Sequence, residues 1–170
     1  MEEALFSSKS DEWETPDDLF SGLNKVFGFT LDPCATTENA KCQKFYTMND
    51  DGLNKSWEGE SVFVNPPYGL TIGKWVRKCA EESSHARVVL LIPARTDTKY
   101  QHEWIFPYAY ALCFVNGRLR FTNRLLPSYD KSGNFKKSPA PFPSQIIVYF
   151  EINNEQKSFL EEYGTVLCLK

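Results

Sequence analysis

Between Arg87 and Pro93 the chain runs Val88-Val89-Leu90-Leu91-Ile92 without a polar residue. A strand with one wet face alternates apolar and polar positions, so an unbroken run of this kind belongs to a strand covered on both faces. Such strands lie inside largely parallel sheets that carry helices on each side. The flanking sequence fits that frame. Ser61-Val62-Phe63-Val64, 111–115 and 145–150 read as further strands, with Phe29-Thr30-Leu31 and 44–47 as short ones. One helix pattern covers 17–26, with Phe20, Leu23 and Phe27 on its core face and Gly28 as its stop. Thr15 reads as its N-cap and Pro16 as its first helical residue. A second covers 71–83, with Ile72, Trp75, Val76 and Cys79 inward, and another helix is expected around 100–106. Residues 34–44 read as a short helix or a loop, Asp50-Asp51-Gly52 as a turn, and 117–143 as a long Pro-, Ser- and Lys-rich surface loop. A short helix and a strand at 166–169 close the chain. The alternation predicts an α/β fold with helices on both faces of the sheet.

At 170 residues the chain is expected to form a single domain over 1–170, with 1–12 a loose polar lead-in. No apolar run is long enough to cross a membrane, and Met1-Glu2-Glu3 opens with acid instead of the basic region of a signal peptide. Cys34, Cys42, Cys79, Cys113 and Cys168 are scattered and odd in number, which reads as reduced thiols in a cytoplasmic protein. His85 and His102 lack partners at ligand spacing, so no metal site is expected. There is no Gly-rich phosphate loop, and nothing beyond the residue types themselves supports a Ser-His-Asp or Cys-His device.

The net charge of −3 argues mildly against a polyanionic partner, but the charge is unevenly spread. Glu2, Glu3, Asp11, Glu12, Glu14, Asp17 and Asp18 face only Lys9 in the first segment. Between Asn116 and Pro139 the balance reverses, with Arg118, Arg120, Arg124, Lys131, Lys136 and Lys137 against Asp130. Such a stripe either neutralises phosphates or is a solvated loop.

Asn65-Pro66-Pro67-Tyr68 follows the 61–64 strand, and Gly69 follows it. The prolines stiffen the turn and have no N–H, which leaves carbonyls to accept hydrogen bonds. The Asn65 side-chain oxygen and the Pro66 carbonyl are placed to accept both protons of one planar amino group, while Tyr68 offers a face for stacking. Asp32-Pro33 closes an earlier strand, so Asp32 and Asn65 should share the crevice at the carboxyl ends of the sheet. Asp32 there takes a charged hydrogen bond from an ammonium or ribose hydroxyl, or begins a turn. Asp51 reads as an acceptor for a base amine or ribose, or as a plain turn residue. Trp13-Glu14-Thr15-Pro16 reads most simply as a hydrophobic staple and cap. Arg95, in Pro93-Ala94-Arg95-Thr96-Asp97-Thr98, meets phosphate or a base edge, or pairs with Asp97 to close its loop.

The ordered series resembles the phage and prophage DNA N-6-adenine-methyltransferase (Dam-like) family over about 11–150. It comprises Asp11 to Pro16, Leu31-Asp32-Pro33-Cys34-Ala35 with Asn39, and Asp51-Gly52-Leu53 with Trp57. Asn65 to Gly69, Pro93 to Thr98 and Gly117-Arg118-Leu119-Arg120-Phe121 complete it. The resemblance implies a Rossmann-like methyltransferase sheet, S-adenosylmethionine as donor and the exocyclic amine of adenine in double-stranded DNA as acceptor. It implies cofactor contacts at Trp13, Thr15, Pro16, Asp32, Pro33, Asp51 and Asn65, and a catalytic pocket at Asn65, Pro66, Pro67 and Tyr68. DNA contacts would fall to Arg95, Arg118, Arg120, Lys136 and Lys137, with the 116–143 segment as the reader of any target sequence. If the gene is phage-borne, the site of action is the bacterial host cytoplasm. The loop after Asp32 reads Pro-Cys-Ala-Thr-Thr and so departs from the glycine-rich loop of larger adenine methyltransferases. The same tetrapeptide serves methyltransferases of RNA guanine and of protein glutamine, which stay open as alternatives, as does a catalytically silent DNA-binding module.

Overall fold

The computed structural model describes residues 13–122, 129–134 and 139–170; the lead-in at 1–12 lies outside them. Its strands are β1 (Leu31–Asp32), β2 (Lys44–Phe45), β3 (Ser61–Val64), β4 (Arg87–Pro93), β5 (Ala111–Val115), β6 (Ser144–Val148) and β7 (Gly164–Cys168). They form one sheet in the order β2-β1-β3-β4-β6-β5-β7. The first four in that order are parallel. β6 runs antiparallel to both β4 and β5, and β7 antiparallel to β5. The sheet is therefore mixed, and β4 has one parallel and one antiparallel neighbour.

Both faces are covered, as the apolar run in β4 requires. Val62, Val64, Val88, Leu90, Ile92 and Ile147 meet Trp75, Val76 and Cys79 of α2 (Ile72–Glu82). The alternate residues Phe63, Val89, Leu91, Ile146 and Val148 meet Leu19, Phe20, Leu23 and Phe27 of α1 (Asp17–Phe27), together with Leu160 of α3 (Asn154–Tyr163). Val88 to Ile92 are fully buried. At about 1.5–3 kcal/mol for each such side chain, this run alone supplies on the order of 10 kcal/mol against chain entropy.

Local chemistry sets the helix ends. Gly28 closes α1 in the left-handed region at φ 63°, with its N–H donating to the Asn24 carbonyl at 2.8 Å. A capping box between Asn153 and Gln156 opens α3, and Gln156 Nε2 donates to the Val26 carbonyl at 3.1 Å, tying α3 to α1. Three expectations change. Pro16, not Thr15, is the N-cap of α1, and its carbonyl accepts the first helical bond from the Phe20 N–H at 3.0 Å. The helix expected around 100–106 is a single π-helical turn over Gln101–Ile105, with the Phe106 N–H reaching the Gln101 carbonyl. Leu119, Phe121, Ala140 and Phe142, within the supposed surface loop, are buried in the α1-side core. The polar composition around them concealed these apolar anchors.

From β1 the chain moves outward to β2 and then recrosses β1 to reach β3. That reversal places a crevice at the carboxyl ends of β1 and β3, where open α/β sheets hold ligands.

Candidate active site

A cavity of about 690 Å³ occupies this crevice. Asp32, Pro33 and Cys34 line it from the end of β1, Asp51, Gly52 and Leu53 from the next loop, and Asn65, Pro66 and Pro67 from the end of β3. Trp13 and Thr15 close it from the segment before α1, and Trp75 from α2.

Asn65 is held from one end of its side-chain amide. Its Nδ2 donates to the Trp13 carbonyl at 2.6 Å and to Thr15 Oγ1 at 2.9 Å. A carbonyl only accepts, so the atom beside Trp13 must be the nitrogen and the amide orientation follows from its partners. Its Oδ1 is buried and has no hydrogen-bond partner among the described residues. An unsatisfied buried oxygen costs about 1–3 kcal/mol, which a ligand proton can relieve. Pro66 is buried beside it.

Tyr68 stands behind the turn and is not among the residues that line the cavity. Its hydroxyl donates to the Leu91 carbonyl at 3.2 Å. Its ring meets Phe142 edge-on, centroids 5.4 Å apart, and Phe121 at 6.2 Å. Trp13 packs on the same two rings at 5.4 and 6.1 Å, so four aromatics join the segment before α1 and the Asn65 to Tyr68 turn to Phe121 and Phe142 in one cluster. Burial, with a smaller effect of Cys34, pushes the Tyr68 phenol well above its usual range and keeps it a neutral donor.

Asp32 organises its own loop. Oδ1 accepts from the Cys34 N–H at 3.4 Å and Oδ2 from the Lys41 N–H at 3.1 Å. Burial raises its pKa, opposed by those two amides and by the charge of Lys41. A carboxylate has about four acceptor sites, so two amide bonds leave capacity toward the cavity. The Cys34 thiol donates to the Asn65 main-chain carbonyl at 3.4 Å, joining the two strand ends. Burial first, then the negative charge of Asp32, pushes that thiol far up and keeps it protonated. Asp51 holds φ 54° at the start of a 3₁₀ turn over Gly52–Asn54 and accepts from Asn54 Nδ2 at 2.5 Å. It stands exposed at the cavity rim.

Arg95 is exposed on the turn after β4 and does not line the cavity. Its main-chain carbonyl accepts from Thr98 Oγ1 at 2.7 Å, and among the described residues no ion pair joins it to Asp97. Arg118 and Arg120 are exposed on the segment leading to Thr122. That segment pairs with the N-terminal one: the Glu14 N–H donates to the Thr122 carbonyl at 2.9 Å and the Thr122 N–H to the Glu14 carbonyl at 3.2 Å. Lys136 and Lys137 lie outside the described residues. Sequence reasoning quoted Cys34 and Phe121 within the family series but gave them no place in the site, and it missed Phe142. The signal for the two phenylalanines was there, as aromatics in an otherwise polar segment; a lone cysteine carries none. Among the described residues no group of His, Cys, Asp and Glu stands ready to hold a metal.

The fold and site thus define an α/β protein with a cavity at the switch point of its sheet, lined by an asparagine whose buried oxygen is unsatisfied among the described residues. A family model described as DNA N-6-adenine-methyltransferase (Dam) matches residues 3–164, and the chain belongs to that family of DNA adenine methyltransferases. It is 29% identical over 119 residues to the DNA N-6-adenine-methyltransferase of Haemophilus phage HP1 (strain HP1c1), covering 68% of this chain and 69% of that one. The enzyme of the same name from Escherichia phage T1 is 32% identical over 93 residues, 53% of this chain and 39% of its own length. Escherichia coli (strain K12) YfdM is 42% identical over 65 residues, covering 34% of this chain and 71% of YfdM.

Proposed function

We propose that the cavity binds S-adenosylmethionine and that Asn65, Pro66 and Tyr68 present the N6 amine of a flipped adenine from double-stranded DNA to it, on a Rossmann-like methyltransferase sheet. The observation that carries this reading is the Asn65 amide, whose nitrogen is saturated by Trp13 and Thr15 while its oxygen is buried and unpaired. The cavity fits the cofactor. Its volume falls within the range of small-molecule sites. Pro33, Leu53, Phe63 and Trp75 give it apolar walls, and the carboxylates of Asp32 and Asp51 line it as acceptors for amine and hydroxyl groups.

When bound, S-adenosylmethionine supplies an electrophilic methyl group on a sulfonium. The protein's part is to make a poor nucleophile competent. The amine of adenine is conjugated with its ring. Asn65 Oδ1 and the Pro66 carbonyl accept hydrogen bonds from its two N–H groups, draw electron density back to nitrogen and fix the direction of its lone pair; the one N–H proton lost when the methyl group is gained leaves to solvent. Orientation of this kind is worth effective molarities of about 10⁵ M or more. Extrusion of the base costs a few kcal/mol, and an aromatic face returns roughly 1–3. Tyr68 serves for that contact, its ring held by the Leu91 bond and by Phe142. Arg118, Arg120, Lys136, Lys137 and Arg95 would contact phosphate, and the site of action would be the cytoplasm. Among the described residues no helix is long and apolar enough to cross a membrane.

The test is incubation with methyl-labelled S-adenosylmethionine and unmethylated duplex DNA, then digestion to nucleosides. Label is expected in N6-methyldeoxyadenosine. Label confined to cytosine, guanine or protein glutamine would overturn the substrate assignment, and no bound cofactor in calorimetry would overturn the cavity assignment.

A further inference from the structure

We infer that Thr15 is a positioning residue for methyl transfer: its hydroxyl, with the Trp13 carbonyl, locks the Asn65 amide so that Oδ1 and not Nδ2 meets the target amine. The inference rests on the amine-clamp reading of Asn65 and adds the device that sets its orientation.

The nitrogen and oxygen of a primary amide are nearly isosteric, and a half-turn about the last side-chain torsion exchanges them. Turned one way, Asn65 accepts a proton from the target amine. Turned the other, it points two donors at two donors and repels it. The strand end does not choose between these states. The choice is made fifty residues earlier in the chain. The Trp13 carbonyl tolerates only a donor at 2.6 Å, and Thr15 Oγ1 takes the second Nδ2 proton at 2.9 Å. Thr15 is 4% exposed, so water is poorly placed to substitute for its hydroxyl. The N-cap of α1 is Pro16 and not Thr15.

The holding segment is itself held. Glu14, between the two partners, exchanges both backbone bonds with Thr122, and the Trp13 ring packs on Phe121 and Phe142. Phe121 and Thr122 directly follow Arg118 and Arg120. The amide orientation is thus fixed by a segment paired to the basic stretch. Reading Trp13-Glu14-Thr15-Pro16 as a staple and helix cap gives no hint of this, because the partner lies just past the end of β3, fifty residues on.

The experiment compares Thr15→Val, Thr15→Ser and the intact protein on duplex DNA with saturating S-adenosylmethionine, alongside cofactor affinity by calorimetry and thermal unfolding. Valine keeps the shape of threonine without the acceptor, and serine keeps the acceptor. We expect Thr15→Val to lower kcat on the order of ten- to a hundredfold with cofactor Kd changed less than threefold, and Thr15→Ser to stay within about threefold of the intact protein. Equal losses in Thr15→Val and Thr15→Ser, a loss carried by cofactor affinity instead of kcat, or an unimpaired Thr15→Val would overturn the inference. If Thr15→Val does not fold, the intact protein decides. In ¹⁵N-labelled protein both Asn65 side-chain amide protons should exchange slowly with solvent, and fast exchange of that pair overturns the lock. An intact protein that yields no N6-methyladenine would instead refute the activity reading, and the exchange measurement would still judge the lock separately.

Discussion

Gly52→Ala would drive two walls of the cavity apart. A Cβ on Gly52 would lie 2.1 Å from the Pro33 carbonyl oxygen and 3.1 Å from its carbon, where ordinary contact begins near 3.4 Å. One backbone must therefore move by roughly an ångström or more. Neither yields easily. The Gly52 carbonyl accepts from Trp57 Nε1 at 3.1 Å, and that indole is fully buried and stacked on Trp75. On the other side, Pro33 sits in a loop held by the Asp32 carboxylate, and the Ala35 N–H donates to the Tyr46 carbonyl at 3.0 Å. Overpacking that forces side-chain and backbone shifts costs about 1–3 kcal/mol, occasionally more, and a rigid backbone contact belongs at the upper end. We expect about 3 kcal/mol, a fall in Tm of about 6–12 °C for a chain of this size. Because the displaced loops carry Asp32 and Asp51, affinity for S-adenosylmethionine should fall at least about tenfold. Urea unfolding and calorimetry read both quantities. Gly59→Ala is the control: Gly59 has φ +76° and nothing within 4 Å of the added carbon, so it should cost only the left-handed penalty of about 1–2 kcal/mol and leave cofactor binding alone. A Gly52→Ala protein as stable as Gly59→Ala, with unchanged cofactor affinity, would refute the reasoning.

Asn65→Ala should lower methyl transfer by about a hundredfold or more while cofactor Kd shifts far less, measured by single-turnover kinetics and calorimetry, since the missing acceptor matters chiefly in the transition state. Tyr68→Phe keeps the ring but removes the bond to the Leu91 carbonyl, so a stability loss of about 0.5–1.5 kcal/mol is expected in denaturant unfolding, with a smaller kinetic effect than Tyr68→Ala. The double variant Arg118→Ala, Arg120→Ala should weaken DNA binding across sequences and flatten its salt dependence by nearly one unit of slope for each phosphate that these arginines neutralise; an unchanged slope would mark the stretch as a solvated loop. Glu82 supplies a pH prediction. Burial raises its pKa, but bonds from Lys78, the Trp57 N–H and His85 outweigh burial and hold it below the usual carboxylate range. The unfolded chain then binds the proton first as pH falls, so this contribution is present above about pH 4.5 and is lost as pH drops through the lower folded value. Glu82→Gln should flatten that acid limb in unfolding curves taken at pH 3–6, and an identical slope would remove Glu82 from the account.

Much of this protein is decided by pattern that needs no third dimension. The run Val88–Ile92 demands cover on both faces, Gly28 stops α1, and the stiff Asn65 to Tyr68 turn after an apolar strand marks where a ligand is presented. Each follows from short-range physics: the period of the backbone, the φ freedom of glycine and the missing N–H of proline. Sequence also placed Asp32 and Asn65 at carboxyl strand ends that share a crevice. What it could not supply was anything that depends on two distant segments sharing a surface. The antiparallel insertion of β6 between β4 and β5, the buried Phe121 and Phe142 in a polar stretch, and the close approach of Gly52 to Pro33 all arise only after the sheet is ordered. The same is true at the centre of the site. Thr15 looks like a helix cap by its neighbours, yet its hydroxyl serves Asn65, because a buried amide must find its partners in whatever surrounds it, and only the tertiary structure decides what that is.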